Sequence, residues 1–270
     1  MVPERVSKWF DMSGRVVVLT GATGRLGRYY ADLLSDGGAH VALFDLDQAA
    51  CERLAGELSQ KYSTRALGLA VDVSSKAEVF AAVERVITQL GRVDVLINNA
   101  AAQQLTVFDG DVCSVEEFPL EVWEANLDVN LTGALLCCQA IGRQMVEQGG
   151  GVILNIGSVY GVVACDQRIY GNSRINSSIA YATTKSGLVN FTRYLASYWQ
   201  GKNIRVNCLS PGGVFNNQNP EFLENYIYKT MLKRMASLDD LGSAVLYLVS
   251  DASSWVTGTN LVVDGGFTAW

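Results

Sequence analysis

Short apolar, β-branched runs alternate with longer stretches of helical period from one end of the chain to the other, and this alternation leaves few folds open. The runs fall at residues 15–20, 41–45, 66–72, 93–98, 151–157, 204–209 and 260–264. Helical period fills residues 25–35, 48–60, 75–90, 119–147, 178–200 and 239–250. Strands that are apolar throughout, rather than alternating, are buried on both faces. Seven of them separated by helices predict an α/β fold, a doubly wound seven-stranded parallel sheet with helices on both faces. The 270 residues and 49% hydrophobic content suit one such domain spanning residues 1–270. No repeat, low-complexity tract or linker divides the chain. Residues 163–177 and 212–231 fit neither period and read as loops covering a site.

Composition removes several classes of function. A net charge of −6, spread along the chain, argues against nucleic acid as the partner. No apolar run reaches the ~18 residues that span a bilayer, and the first residues lack a secretory apolar core, so neither membrane insertion nor export is expected and the cytoplasm is. The six cysteines (Cys51, Cys113, Cys137, Cys138, Cys165, Cys208) have no metal-ligand spacing, and His40 is the sole histidine. Metal catalysis and a Ser-His-Asp arrangement are therefore not expected. The cysteines read as small buried residues in a reducing compartment. Cys165 stands apart, beside the first irregular loop, and His40 reads as structural.

Arg15-Val-Val-Val-Leu-Thr-Gly21-Ala-Thr23-Gly24-Arg25-Leu26-Gly27 is a buried strand running into a glycine turn and then a helix. Glycine lets backbone approach a pyrophosphate, which the helix N-terminus attracts. Placed after the first strand, the turn predicts a Rossmann-type dinucleotide site. Asp45, followed by Leu46, ends the second strand, where a carboxylate can accept from ribose hydroxyls and repel a 2′-phosphate. That favours NAD. Arg25 argues the other way, since a cation in the turn could attract the phosphate, and NADP stays open.

Tyr181 and Lys185 lie one turn apart on a helix face. A free phenol titrates near pH ~10, and a neighbouring cation favours phenolate, moving the group towards general acid/base work. Taken alone, the pair also fits an ordinary solvated helix face.

Together these pieces resemble the short-chain dehydrogenase/reductase family over residues 12–267. The segments that carry the resemblance are Thr20–Gly27, Val71-Asp72-Val73, Asn98-Asn99-Ala100-Ala101, Val129-Asn130-Leu-Thr-Gly133, Ser158, Tyr181–Lys185, Pro211-Gly212 and Val263-Asp264-Gly-Gly266. The resemblance implies that Asp72 and Val73 contact the adenine and that Asn98, Asn99, Ala100 and Ala101 line the cofactor. It implies that Ser158 binds the reacting oxygen, Tyr181 exchanges the proton, and Lys185 binds the nicotinamide ribose and lowers the phenol's pKa. Asn130 would kink its helix and hold a water linked to Lys185. Pro211, Gly212, Gly213, Val214 and Asn216 would line the nicotinamide end, with Asn216 standing where the family has threonine. Arg25 occupies the usual place of the turn's middle glycine.

More residues than usual separate Ser158 from Tyr181, the excess falling at Asp166–Asn176. That insertion and Asn216-Asn217-Gln-Asn219 are rich in hydrogen-bonding groups, as a sugar site would be. Arg168 and Arg174 are candidates to clamp a phosphate, and Ser158, Tyr160, Tyr181 and Asn217 to touch the substrate. Within the family the chain most resembles the subgroup called flagellin modification protein A, through Asp166–Tyr170, Arg193–Trp199, Leu209–Asn216 and Ser250–Ser254. That likeness implies a phosphorylated or nucleotide-linked sugar, a small molecule.

The expected function is NAD(P)-dependent interconversion of a secondary alcohol and a ketone. Two alternatives remain open, a sugar-nucleotide epimerase or isomerase with tightly held NAD and a coenzyme-sensing protein without chemistry. The family's pairing of equivalent helices predicts a homodimer or homotetramer through Leu135, Leu136, Phe191, Tyr194, Tyr198 and Trp199.

Overall fold

The computed structural model describes residues 4–102, 107–108, 111–173 and 175–270. A short helix, Glu4–Trp9 (α1), precedes Val16–Thr20 (β1), which opens on three consecutive valines and has all five side chains buried. β-Branched side chains favour extended backbone and pack well on a sheet. The chain continues through Arg25–Asp36 (α2), His40–Asp45 (β2), Gln48–Tyr62 (α3), Ala66–Ala70 (β3), Lys76–Leu90 (α4) and Val95–Asn98 (β4). Val107–Phe108 (β5) and Asp111–Val112 (β6) form a separate antiparallel pair. Leu120–Leu127 (α5), Gly133–Gln148 (α6), Gly151–Ile156 (β7), Ile179–Tyr198 (α7), Ile204–Pro211 (β8), Pro220–Lys229 (α8), Leu238–Val249 (α9) and Asn260–Val263 (β9) complete it.

Seven strands pair in parallel in the order β3-β2-β1-β4-β7-β8-β9. This is the Rossmann-type sheet expected from the sequence, with each predicted strand present. Tyr30, Leu34, Leu54, Leu58, Leu241 and Val245 bring α2, α3 and α9 onto one face. Val79, Val83, Ile141, Met145 and Leu195 bring α4, α6 and α7 onto the other. The winding reverses between β1 and β4, and a crevice opens beyond the carboxyl ends of these strands.

Three sequence expectations need correction. The single helix expected over 119–147 is interrupted by a turn of π-helix at Asp128–Thr132. The irregular stretch 212–231 contains α8, which starts with Asn219 as cap and Pro220 in its first turn, a pairing that predicts a helix start. Leu136 and Trp199, expected at an interface, are buried at 8% and 9% exposure. Trp199 lies so close to Gly142 that a Cβ there would sit 2.4 Å from its ring. His40 holds the sheet edge, its Nδ1 accepting from the Arg65 backbone N–H at 3.1 Å.

Candidate active site

The strand ends place the predicted nucleotide residues together. Thr20 Oγ1 accepts from the backbone N–H groups of Asn99 and Ala100, each at 3.0 Å. The Asn99 side-chain amide donates to the carbonyls of Thr20 and Gly21. Gly21 has a φ of 63°, and a Cβ on it would lie 2.8 Å from the Ala100 Cα. A Cβ on Gly27 would lie 2.1 Å from the Gly21 carbonyl oxygen, so α2 packs on the turn with no room for a side chain. Helix α2 begins at Gly24 with no side-chain cap and no acidic residue in its first turn, whereas Asp47, Ser75, Ser178, Asn219 and Ser237 cap α3, α4, α7, α8 and α9. Uncapped N–H groups and a positive helix end attract an anion.

Asp45 sits at the end of β2. One carboxylate oxygen accepts from the Thr23 N–H at 2.8 Å and the Thr23 hydroxyl at 2.7 Å, and the other accepts from the Leu46 N–H at 2.8 Å. Arg25 is exposed and donates to the Phe215 carbonyl, which ties the glycine turn to the segment after β8. Asp72 Oδ1 accepts from the Ser74 N–H and hydroxyl, and Val73 is buried against Gly133. The uncapped helix, the close glycine cradle and the terminal carboxylate fit a dinucleotide's pyrophosphate and ribose.

Four further residues meet at the ends of β7 and α7. Ser158 follows β7 in extended backbone, is buried, and its Oγ accepts from the Tyr160 N–H at 3.1 Å. Ser178 caps α7 by accepting from the Tyr181 N–H. One turn on, Lys185 Nζ donates to the Ile156 carbonyl at 2.7 Å and lies 5.6 Å from the Tyr181 ring centroid. Asn130, in the π turn, accepts from the Ala102 N–H at 2.8 Å and donates to Thr184 Oγ1 at 2.9 Å. The Asn130 amide thus links the π turn to Ala102 and to Thr184 of α7.

Burial raises the Tyr181 phenol above its ordinary value, a shift opposed by its hydrogen bond with Ser158. Burial also pushes Lys185 down to about 8. Desolvation is the largest influence on both groups.

The loops carry the residues expected on the substrate side. Arg168, expected to clamp a phosphate, makes a bidentate pair with Asp166 at 2.8 and 2.9 Å, and its side chain is 90% exposed. Arg174 lies outside the described residues. Asn216 is exposed, its N–H donating to Gln218 at 2.7 Å, and Asn217 is exposed with a φ of 51°. What faces inward is aromatic. Tyr160, Tyr170, Phe222, Tyr226 and Phe267 pack around Val159, Ile169 and Met235. The Tyr226 hydroxyl accepts from the Gly213 N–H at 2.5 Å. Residues 163–177 and α8 hold one another, since Asn172 donates to Glu221 and Asn225 to the Ile169 carbonyl. Sequence reasoning passed over Tyr170 and Tyr226, although Tyr170 sits inside the insertion it had singled out. Among the described residues no His, Cys, Asp or Glu cluster could hold a metal, and no helix is long and apolar enough to cross a membrane.

A family profile described as Enoyl-(Acyl carrier protein) reductase matches residues 21–268. The chain is 34% identical over 264 residues to D-threitol dehydrogenase of Mycolicibacterium smegmatis, covering 96% of this chain and 95% of that protein. It is 32% identical over 266 residues to NAD-dependent glycerol dehydrogenase of Listeria innocua, covering 97% and 96%. Gluconate 5-dehydrogenase of Burkholderia cenocepacia, solved in complex with NADP and tartrate, superposes with a TM-score of 0.88 at 28% identity, covering 98% of this chain and 99% of that one. The chain belongs to the short-chain dehydrogenase/reductase family and is an NAD(P)-dependent oxidoreductase.

Proposed function

We propose that this enzyme interconverts a secondary alcohol and a ketone on a small sugar alcohol or a related sugar, with NAD as coenzyme. The observation that carries the reading is the meeting of Ser158, Tyr181 and Lys185 at the ends of β7 and α7, with the Lys185 ammonium 5.6 Å from the Tyr181 ring centroid. Ser158 orients the reacting oxygen and Tyr181 passes the proton to or from it. Lys185 holds the ribose side, and Asn130 fixes the helix on which Tyr181 and Lys185 stand. Gly21, Thr23, Gly24, Arg25, Leu26, Gly27, Asp45, Leu46, Asp72, Val73, Asn99, Ala100, Ala101 and the segment Pro211–Asn216 would hold the dinucleotide, which would supply the hydride acceptor when bound. NAD is favoured because the Asp45 carboxylate disfavours a 2′-phosphate and Arg25, the cation that would attract one, is engaged by Phe215.

Relatives acting on threitol and glycerol support a polyol substrate. The phosphorylated or nucleotide-linked sugar of the flagellin modification protein A subgroup needed cations, and Arg168 is committed to Asp166. A free polyol needs none. We place residues 163–177 and 212–231 as the substrate loops, the enzyme in the cytoplasm, and the outer face of α6 and α7 at a subunit contact.

The test is coenzyme reduction by purified protein with a panel of polyols. Net NADH formation is expected, and its absence with bound NAD would return the closed-cycle epimerase or the sensor. Tyr181→Phe should lower turnover by ~10²–10⁴-fold, since that is the usual worth of positioned proton transfer, and weaken NAD binding far less. Because burial raises the phenol, oxidation should accelerate as pH rises towards 10, the ordinary value of that group. Equal turnover by Tyr181→Phe would remove the assignment.

A further inference from the structure

The loop that leads into α7 is fastened at several points, and Tyr170 lies between them. Gln167 and Ser177 exchange hydrogen bonds, the Gln167 amide donating to the Ser177 carbonyl at 3.1 Å and the Ser177 N–H donating back at 3.0 Å. Cys165 Sγ donates to Ser177 Oγ at 3.2 Å. Asp166 accepts from Arg168 and from Lys229 of α8. Between these anchors Tyr170 packs its ring on Phe222, centroids 5.2 Å apart. Its hydroxyl lies close enough to Tyr160 and Ser177 for both to influence its titration. Tyr160 in turn donates its backbone N–H to Ser158 Oγ. Tyr160 and Tyr170 therefore pack against one cluster with Val159, the residue that follows Ser158.

We propose that Tyr160 and Tyr170 form a recognition dyad that binds a substrate hydroxyl on the carbon next to the reacting carbinol, so that the enzyme selects uncharged vicinal diols and polyols over simple secondary alcohols. The proposal rests on the function given above. A tyrosine carries a rigid, amphipathic contact with only two side-chain torsions to fix, and its ring can cover the C–H face of a polyol while its hydroxyl pairs with oxygen. Burial raises both phenols, so both stay protonated and can donate or accept throughout the working pH range. A substrate lacking the second hydroxyl leaves this pair without its partner, which is how hydrogen-bonding sites reject truncated analogues.

The experiment uses one carbon count with a graded number of hydroxyls: 2-butanol, meso-2,3-butanediol and D-threitol, with NAD. Wild type, Tyr170→Phe, Tyr160→Phe and the double variant are compared by kcat/KM, NAD affinity and Tm. Phenylalanine keeps the ring packing on Phe222, so folding is preserved, and Tm verifies this. Wild type should prefer the diol and the tetrol to 2-butanol. Each single variant should reduce that preference about tenfold or more, as loss of a partner from a half-buried hydrogen bond does. The double variant should lose less than the product of the single effects, because the two phenols act as one unit. An unchanged ratio in Tyr170→Phe, or a wild type indifferent to the second hydroxyl, overturns the dyad while leaving the oxidoreductase reading standing. A wild type that binds NAD and oxidises none of the three alcohols overturns the polyol reading and the dyad with it.

Discussion

Lys185 shows what the site costs at the level of one side chain. It is 2% exposed, and its ammonium has been brought from water to a single carbonyl, that of Ile156. Its pKa falls from 10.5 to about 8. The unfolded chain therefore binds more protons than the native one between those values, so stability rises with pH across that window. Below pH 8 the full penalty stands, about 3 kcal/mol at 1.36 kcal/mol for each pH unit. Above 10.5 it is gone. Lys185→Met, which fills the same channel without a charge, should therefore raise unfolding stability at pH 7 by about 1–3 kcal/mol after allowing for the lost hydrogen bond. The gain should shrink towards zero by pH 10.5, as urea titrations at several pH values would report. A variant less stable than wild type at pH 7 would mean that burial is not what depresses this lysine. Such a gain alongside lost activity would be the usual stability–function trade, as expected if Lys185 has the role proposed for it.

At the level of elements, the glycine turn divides what backbone geometry requires from what composition allows. Gly27 has backbone atoms of Gly21 and Ala22 within 2.1–2.9 Å of where a Cβ would stand, and backbone cannot move aside cheaply. Gly56, on the exposed face of α3, has nothing within 4 Å. Gly27→Ala should destabilise by about 1–3 kcal/mol or more, as overpacking does, and weaken NAD binding. Gly56→Ala should stabilise by roughly 0.5–1 kcal/mol through the better helix former. Paired thermal melts test both, and equal shifts would contradict the close approach of α2. The same division explains what could be read beforehand. Val16–Thr20 and its counterparts are apolar because both sheet faces are covered, so their period announced the strands. Helix α8 lacked so clear a period, and its Asn219-Pro220 start went unread among the surrounding polar residues. Arg168 and Tyr170 were indistinguishable by composition. Only the fold shows that Asp166 holds the arginine outward while Phe222 holds the tyrosine inward.

At the level of the whole molecule, α6 and α7 carry one of the exposed apolar areas. Leu135 is 40% exposed, Tyr194 66% and Tyr198 68%, and the two tyrosines stack with centroids 6.3 Å apart. They border an open groove of about 700 Å³ that also takes in Phe80, Val146 and Trp199. Aromatic residues rimmed by charges such as Arg143 and Glu147 have the composition of a subunit contact. Helix α7 also carries Tyr181 and Lys185, so a partner packed on its outer side would stiffen the element that presents the proposed catalytic pair. Tyr198→Arg should then shift the protein from dimer or tetramer to monomer in light scattering, since a charge at the centre of a dry contact is strongly disfavoured. It should also make Tm depend less on protein concentration, because association stabilises by mass action. A wild type that runs as a monomer at micromolar concentration would exclude this face as a subunit contact and leave α7 to be held by its contacts within the protomer.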